Sequence, residues 1–486
     1  MRGLSLRARF PCSRRSLLTA AAVVPLTAAA AAGDGGLPQA ARIAGATGPA
    51  GEQSYFPRHG SYGHRTLAYD LRLGYDPDRA WLDGHARIRA VARDGLNRVE
   101  LDLARLKVGE ARVDGEPVAV HRRDGKVLLT LAKPLAAGQP FIMDIAYGGR
   151  PKPVSTPFGG VGWDRTGDDH DGTLVASQPV GAPSWFPCND RPDDKAAYTF
   201  SVTVPRGHHA LANGTLRERQ EVEDGVRWTY HHPGPMATYL AAVYTGRFGE
   251  ASLTDAGADG MPVRIAYPAD LAAEARYDLA RQPEMLRLFS GLFGDYPFES
   301  YGAVVVDADL AAPVENQTLS VFGRNHVDGQ RSWETLVAHE IAHQWFGNSV
   351  GLADWRHIWL NEGFATYAEW LWSEHLGEDD AATLARRAWL DLSARRQNLR
   401  IADPGRRHLF DDRVYVRGAC ALHALRLAVG DDSFFRVLRT WHAAYRGGSA
   451  DTAAFLAHAE GVVGRPLGTV LQPWLFERSL PRFDAG

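Results

Sequence analysis

Three cysteines in 486 residues are too few for a disulfide framework. Cys12 lies in a segment expected to be removed. Cys188 and Cys420 are remote in sequence and are read as two buried free thiols, pairing in an oxidising compartment being the other reading. Apolar runs of bilayer-spanning length are missing as well, so no transmembrane segment is expected. Neither charge sign dominates, because 54 Lys and Arg against 57 Asp and Glu leave a formal net charge of −3. A chain so near neutrality carries no electrostatic footprint for nucleic acid and no pull towards an anionic membrane. There is no internal repeat of fixed period. What remains is ordinary globular composition, 45% hydrophobic and 23% charged. At this length two or three domains with sizeable cores are predicted.

Acidic residues are absent from positions 1–33, which carry five arginines. Ser13-Arg14-Arg15-Ser16 precedes the apolar run Thr19 to Leu26, and the alanines from Ala28 to Ala32 supply small residues for cleavage. This basic, apolar, small order is that of a bacterial export signal. The paired arginines resemble a twin-arginine signal, a plain Sec signal being the other reading. Either predicts a secreted or cell-surface product. Residues 34–52 are rich in Gly, Ala and Pro and read as a flexible linker.

Residues 53–249 read as an antiparallel β domain. Tyr198 to Val204 alternates apolar and polar residues over a strand length, and Val127 to Leu131 is one of several similar runs between Gly, Asp and Pro turns. Residues 250–486 keep one further strand-like run, Ala303 to Asp307, and then turn helical. Ser332 is a candidate N-cap for a helix carrying Leu336, Val337, Ile341 and Trp345, which Gly347 would end. Asn361 is a candidate cap for a second helix ending near Gly377, and a third runs from about Gly418 to Ala428. The fold class is therefore multidomain α+β, with strands first and helices dominating the second half.

The first of these helices contains His339-Glu340-Ile341-Ala342-His343. Residues four apart stack on one helix face, so both imidazoles can reach one ion. Neutral imidazole is a good zinc ligand, and a catalytic site needs a third protein ligand with a fourth position left open. Glu362, in Asn361-Glu362-Gly363, follows at a spacing that a helix–loop–helix turn can return to the ion. The reading is one Zn2+ per chain, held by His339, His343 and Glu362, with Glu340 as general base.

The block Val337-Ala-His-Glu-Ile-Ala-His-Gln-Trp-Phe-Gly-Asn348 resembles the signature of the gluzincin aminopeptidases of the aminopeptidase N and leukotriene hydrolase type. So does Trp359-Leu-Asn-Glu-Gly-Phe-Ala-Thr-Tyr367. Weaker matches in family order are Phe186-Pro-Cys-Asn-Asp190, Pro235 to Leu240 and Tyr296-Pro-Phe298. The resemblance implies a saddle-shaped β domain followed by a thermolysin-like catalytic domain. It also implies a zinc aminopeptidase acting on peptides with a free N-terminus. Ala312-Pro-Val-Glu-Asn316 stands where the family has Gly-x-Met-Glu-Asn. Glu315 is thereby expected to bind the substrate amine, with Asn316 among the substrate-binding residues. Gln178 lies before Pro187 as a substrate-binding Gln does in relatives. Tyr415, in Tyr415-Val-Arg-Gly418, takes the place of a family tyrosine that stabilises an oxyanion.

Three departures stand out. The family's Gly and Met are Ala312 and Val314 here, and the Lys after the tyrosine is Arg417. Many relatives carry a long C-terminal helical domain, whereas this chain stops at Gly486, so a short form is expected, with a cleft that is either more open or covered by something else. An open cleft keeps a zinc endopeptidase as an alternative. A non-catalytic peptide-binding protein on the same scaffold is the alternative from another class.

Overall fold

A computed structural model describes residues 55–167, 171–253 and 260–483. The expected export signal, 1–33, and linker, 34–52, lie outside the described residues. The first half is built on an eight-stranded sheet. Its order is Thr215–Val222, Gly225–Met236, Ala196–Val204, His64–Asp76, Trp81–Ala92, Pro140–Gly149, Lys107–Val113 and Glu116–Pro117. Strict alternation along Ala196–Val204, buried and half-buried by turns, reflects the two-residue period of a strand with one face on the core. The sheet is not purely antiparallel, since His64–Asp76 pairs in parallel with Ala196–Val204. Alternation specifies which face of a strand is buried and says nothing of its partner, so this pairing was not predicted.

The second half opens on a four-stranded sheet in the order Phe248–Leu253, Val263–Pro268, Tyr301–Val306 and Ser320–Gly323. Its first strand straddles position 249/250, where the domain change was expected. Helices follow: α1 (Ala272–Asp278), α2 (Gln282–Phe293), α3 (Glu334–Ala342), α4 (Trp359–His375), α5 (Ala381–Ser393) and α6 (Asp412–Val429). Trp345, Trp355, Trp359 and Trp372 are fully buried among them. No helix among the described residues is long and apolar enough to cross a membrane. Cys188 and Cys420 are buried and unpaired.

Four expected helix ends move, the first being that of α3, which closes at Ala342 and leaves Trp345 and Gly347 beyond it. Helix α3 starts at Glu334 behind Trp333, which makes no side-chain cap, so Ser332 is not the N-cap. Helix α4 starts at Trp359, which puts Asn361 inside the first turn. Helix α6 starts at Asp412, with the Asp411 carboxylate accepting from the Arg413 N–H, and so includes Tyr415. Two glycines set how the helices meet. A Cβ on Gly363 of α4 would lie 2.8 Å from the Cα of Gly418 of α6, and one on Gly418 would lie 2.8 Å from the Cα of Gly363. Only backbone fits at this crossing, and it brings together the helix turns that carry Glu362, next to Gly363, and Tyr415, three residues before Gly418.

His64, at the start of the strand His64–Asp76, is buried, and neither ring nitrogen has a hydrogen-bond partner among the described residues. Burial holds its imidazole at about 4, against about 6.5 in an unfolded chain. Between those values the unfolded chain binds the proton and the fold does not. Stability is therefore fullest above pH ~6.5 and falls as pH drops towards 4. Replacing His64 with Leu should flatten the unfolding free energy against pH between 5 and 6 by up to about 1.4 kcal/mol per pH unit. Denaturant melts of both proteins across that range measure it, and equal slopes would contradict the assignment.

Candidate metal centre

Helix α3 carries His339 and Glu340 in its last turns, and His343 follows as the C-cap residue, still helical at φ −57° and ψ −24°. The four-residue spacing therefore survives the end of the helix, and the two imidazole rings lie 4.7 Å apart between centroids. Helix α4 brings Glu362 in its first turn. One ligand atom from each of His339, His343 and Glu362 lies within 4.8 Å of the others, and all three residues are buried.

The outer ring nitrogens are committed. His339 Nδ1 lies 2.7 Å from Glu369 Oε1, and His343 Nδ1 lies 3.1 Å from the Phe346 carbonyl. Each partner is an acceptor, so a neutral ring keeps its proton on Nδ1 and offers its Nε2 lone pair to an ion. The two Nε2 atoms face Glu362 Oε2 at 3.5 Å and 3.4 Å. Donors about 2.0–2.1 Å from a tetrahedral ion stand roughly 3.3–3.4 Å apart. The observed separations thus suit one small cation shared by three donors. Two nitrogens and an oxygen are also a donor set that zinc accepts. Glu340 Oε2 is buried with no hydrogen-bond partner among the described residues, and its carboxyl feels the charges of His339, His343 and Glu362.

Electrostatics agree with this fit. Burial works against charge on Glu362, yet His343 and His339 outweigh it and hold the carboxyl at about 2. Burial likewise opposes charge on His339, but Glu362 and Glu369 lift its imidazole well above the ordinary range. Together the three groups favour a bound positive charge. Burial pushes Glu340 up to about 8, with His339 and His343 offsetting part of the effect. A carboxylate raised in this way is a stronger base than one in water.

The remaining expected residues divide. Tyr415 stacks beside His339, with ring centroids 6.1 Å apart. Burial, and then the charge of Glu362, raise its phenol well above the usual value, so it stays a proton donor. Glu315 is buried, and Gln178 Nε2 donates to its Oε1 at 2.7 Å from the β domain. Burial raises the Glu315 carboxyl too, the Glu362 charge adding to it and His343 opposing. Asn316 turns away. Its Nδ2 donates to the Val175 carbonyl at 3.3 Å and to the Tyr244 hydroxyl, so its amide fastens the Glu315 turn to the β domain.

Several neighbours were not singled out from sequence. Glu369 stands seven residues after Glu362, two turns along the same helix face, and that spacing was its only signal. Asn348 Nδ2 donates to the Glu315 carbonyl at 2.7 Å, and Gln344 Oε1 accepts from the Thr318 N–H at 2.8 Å. Thr318 has φ 66°, a strained conformation for a β-branched residue.

Comparisons with known proteins agree on a family. The Peptidase family M1 domain matches residues 277–474, and the Peptidase M1 N-terminal domain matches residues 65–240. Aminopeptidase M1 of Arabidopsis thaliana is 25% identical over 86% of this chain and 50% of its own length. Aminopeptidase N of Haemonchus contortus is 25% identical over 86% of this chain and 48% of its own length. The chain thus spans about half the length of the curated relatives it matches. Among solved structures, the M1 zinc metallopeptidase of Deinococcus radiodurans superposes with a TM-score of 0.82 at 32% identity, covering 88% of this chain and 97% of that one. A mutant of that protein, bound to a Tyr-Ser-Ala substrate, gives the same TM-score over 98% of its chain. With both halves matched in order and a relative covered almost end to end, the chain belongs to peptidase family M1.

Proposed function

We propose that this protein is a zinc-dependent aminopeptidase that hydrolyses the N-terminal bond of peptides. The observation that carries the reading is the pair of Nε2 atoms 3.5 Å and 3.4 Å from Glu362 Oε2, beside an unpartnered Glu340 oxygen. His339, His343 and Glu362 would hold one zinc ion. When bound, zinc supplies a Lewis acid that acidifies a water and polarises the scissile carbonyl. Export by the twin-arginine-like segment 1–33 is part of the same proposal.

The chain's own residues do the rest. Glu340 takes the proton of the attacking water and returns it to the leaving amine. Tyr415 donates its phenol proton to the oxygen that gains negative charge. Glu315 accepts the substrate ammonium in a charge-assisted hydrogen bond. Gln178 occupies one oxygen of that carboxylate and so fixes where the other points. A carboxylate met by an ammonium at a fixed distance from Glu340 sets the register at one residue per cleavage.

Three experiments follow from these roles. Glu340→Gln should retain one zinc per chain by elemental analysis while turnover falls by at least ~100-fold. Near-normal turnover in that variant would remove Glu340 from the mechanism. Glu369→Gln should weaken zinc binding about 10–100-fold, read by titration in zinc buffers, because it loosens the orientation of His339. An unchanged affinity would show that the Glu369 contact is incidental. Finally, N-acetylated peptides should resist cleavage that their free counterparts undergo, and Glu315→Ala should narrow the difference. Efficient cleavage of blocked peptides by the wild type would point instead to an endopeptidase.

A further inference from the structure

Lys195 lies one residue before the strand Ala196–Val204, well inside the β domain in sequence, yet its ammonium reaches into the second half of the chain. Nζ donates to the carbonyls of Asn348 at 2.8 Å, Ser349 at 3.0 Å and Gly448 at 2.8 Å. An ammonium has three donors, and all three are spent on backbone. No carboxylate lies within ion-pair distance of Lys195 among the described residues, so this group acts as a fastener and does not neutralise an acid. Its own backbone is anchored. The neighbouring Asp194 is buried, accepts from the Thr66 N–H at 3.2 Å, and receives the Asn189 amide at 2.6 Å.

The fastened turn is not a neutral piece of scaffold. The Asn348 N–H donates to the His343 carbonyl at 3.0 Å and the Ser349 N–H to the Gln344 carbonyl at 3.1 Å, so the turn continues directly from the histidine motif. The Asn348 side chain grips the Glu315 carbonyl at 2.7 Å. Asn348 is thus held through its own carbonyl by Lys195 and holds Glu315 through its amide. Space has been left for this fastener. A Cβ on Gly351 would stand 2.8 Å from Lys195 Cε and 2.9 Å from Nζ, with the next nearest atom, the Gly347 carbonyl, at 3.4 Å.

We propose that Lys195 is a positioning residue for N-terminus recognition, fixing the turn Asn348–Ser349 so that Asn348 sets Glu315 where the substrate amine meets it. This rests on the reading of Glu315 given above. Lys195 touches no substrate; it acts through Asn348. Two substitutions remove the contact by different routes. Lys195→Met keeps the aliphatic chain and loses the donors, whereas Gly351→Ala keeps the lysine and displaces its end.

The test measures kcat and KM for wild type, Lys195→Met and Gly351→Ala, with zinc content and melting temperature for each. The substrates are the best member of an amino-acid p-nitroanilide panel and its N-acetyl derivative. Both variants should raise KM for the free-amine substrate about tenfold, the loss expected for a charged hydrogen bond. They should also lower the preference for free over blocked substrate, with kcat changed far less and zinc content unchanged. A merely structural lysine would lower the melting temperature and the active fraction, hence apparent kcat, while KM and the preference stayed put; that outcome overturns the proposal. A wild type that treats both substrates alike overturns the reading of Glu315, and this proposal falls with it. A discriminating wild type whose two variants keep its KM and its preference overturns the proposal alone.

Discussion

Two buried imidazoles, each with its Nε2 3.4–3.5 Å from the same buried carboxylate oxygen, are a demand for a shared cation. That distance is long for a hydrogen bond and right for donors around a small ion. Removing such groups from water is expensive unless something compensates them. Much of the second half can be understood as serving this constraint. The four-residue spacing aligns the rings, and the Gly363–Gly418 crossing lets α4 deliver its carboxylate. Glu369 and the Phe346 carbonyl then turn each ring so that Nε2 faces inward. Each device is local, and each is useful only if the others hold.

Chemistry and register come from different parts of the molecule. The helices supply His339, Glu340, His343, Glu362 and Tyr415. The turn that carries Glu315 is shaped from both sides. Gln344 and Asn348 hold it from the histidine motif. From the β domain, Asn213 Nδ2 donates to the Gln317 carbonyl at 2.7 Å and the Gly214 N–H donates to Thr318 Oγ1 at 2.7 Å. Thr318 at φ 66° persists because these contacts over-determine it. The β domain therefore helps to shape the turn that carries Glu315.

What sequence made legible follows the range of each rule. Spacing on a helix is a local, rigid property, so the convergence of His339 and His343 could be read without coordinates. Capping preferences are local too but weak, and tertiary packing overrode them at Ser332 and Asn361. Strand existence was visible in the alternation of Tyr198 to Val204, whereas its parallel partner His64–Asp76, more than a hundred residues away, was not. Glu369 resembles any solvent-facing acid on a helix until His339 is seen beside it. Lys195 was similarly invisible, since its three acceptors are backbone carbonyls, which leave no trace in side-chain identity.

On the proposed reading, the charges around the site account for a preference for free N-termini. Glu315, Glu340 and Glu362 are only 3%, 4% and 2% exposed, so three carboxylates share one desolvated region. On the proposed reading a divalent ion offsets two of them and a substrate ammonium offsets the third. A blocked N-terminus brings no such charge, and it leaves Glu315 buried opposite a neutral amide. An uncompensated buried carboxylate is far costlier than a missing neutral hydrogen bond. Selectivity for free N-termini then needs no steric gate, because the carboxylate that accepts the right substrate penalises the wrong one. The same logic assigns Gln178 its place: a neutral donor can steer Glu315 without satisfying its charge, which a lysine in that position would have done.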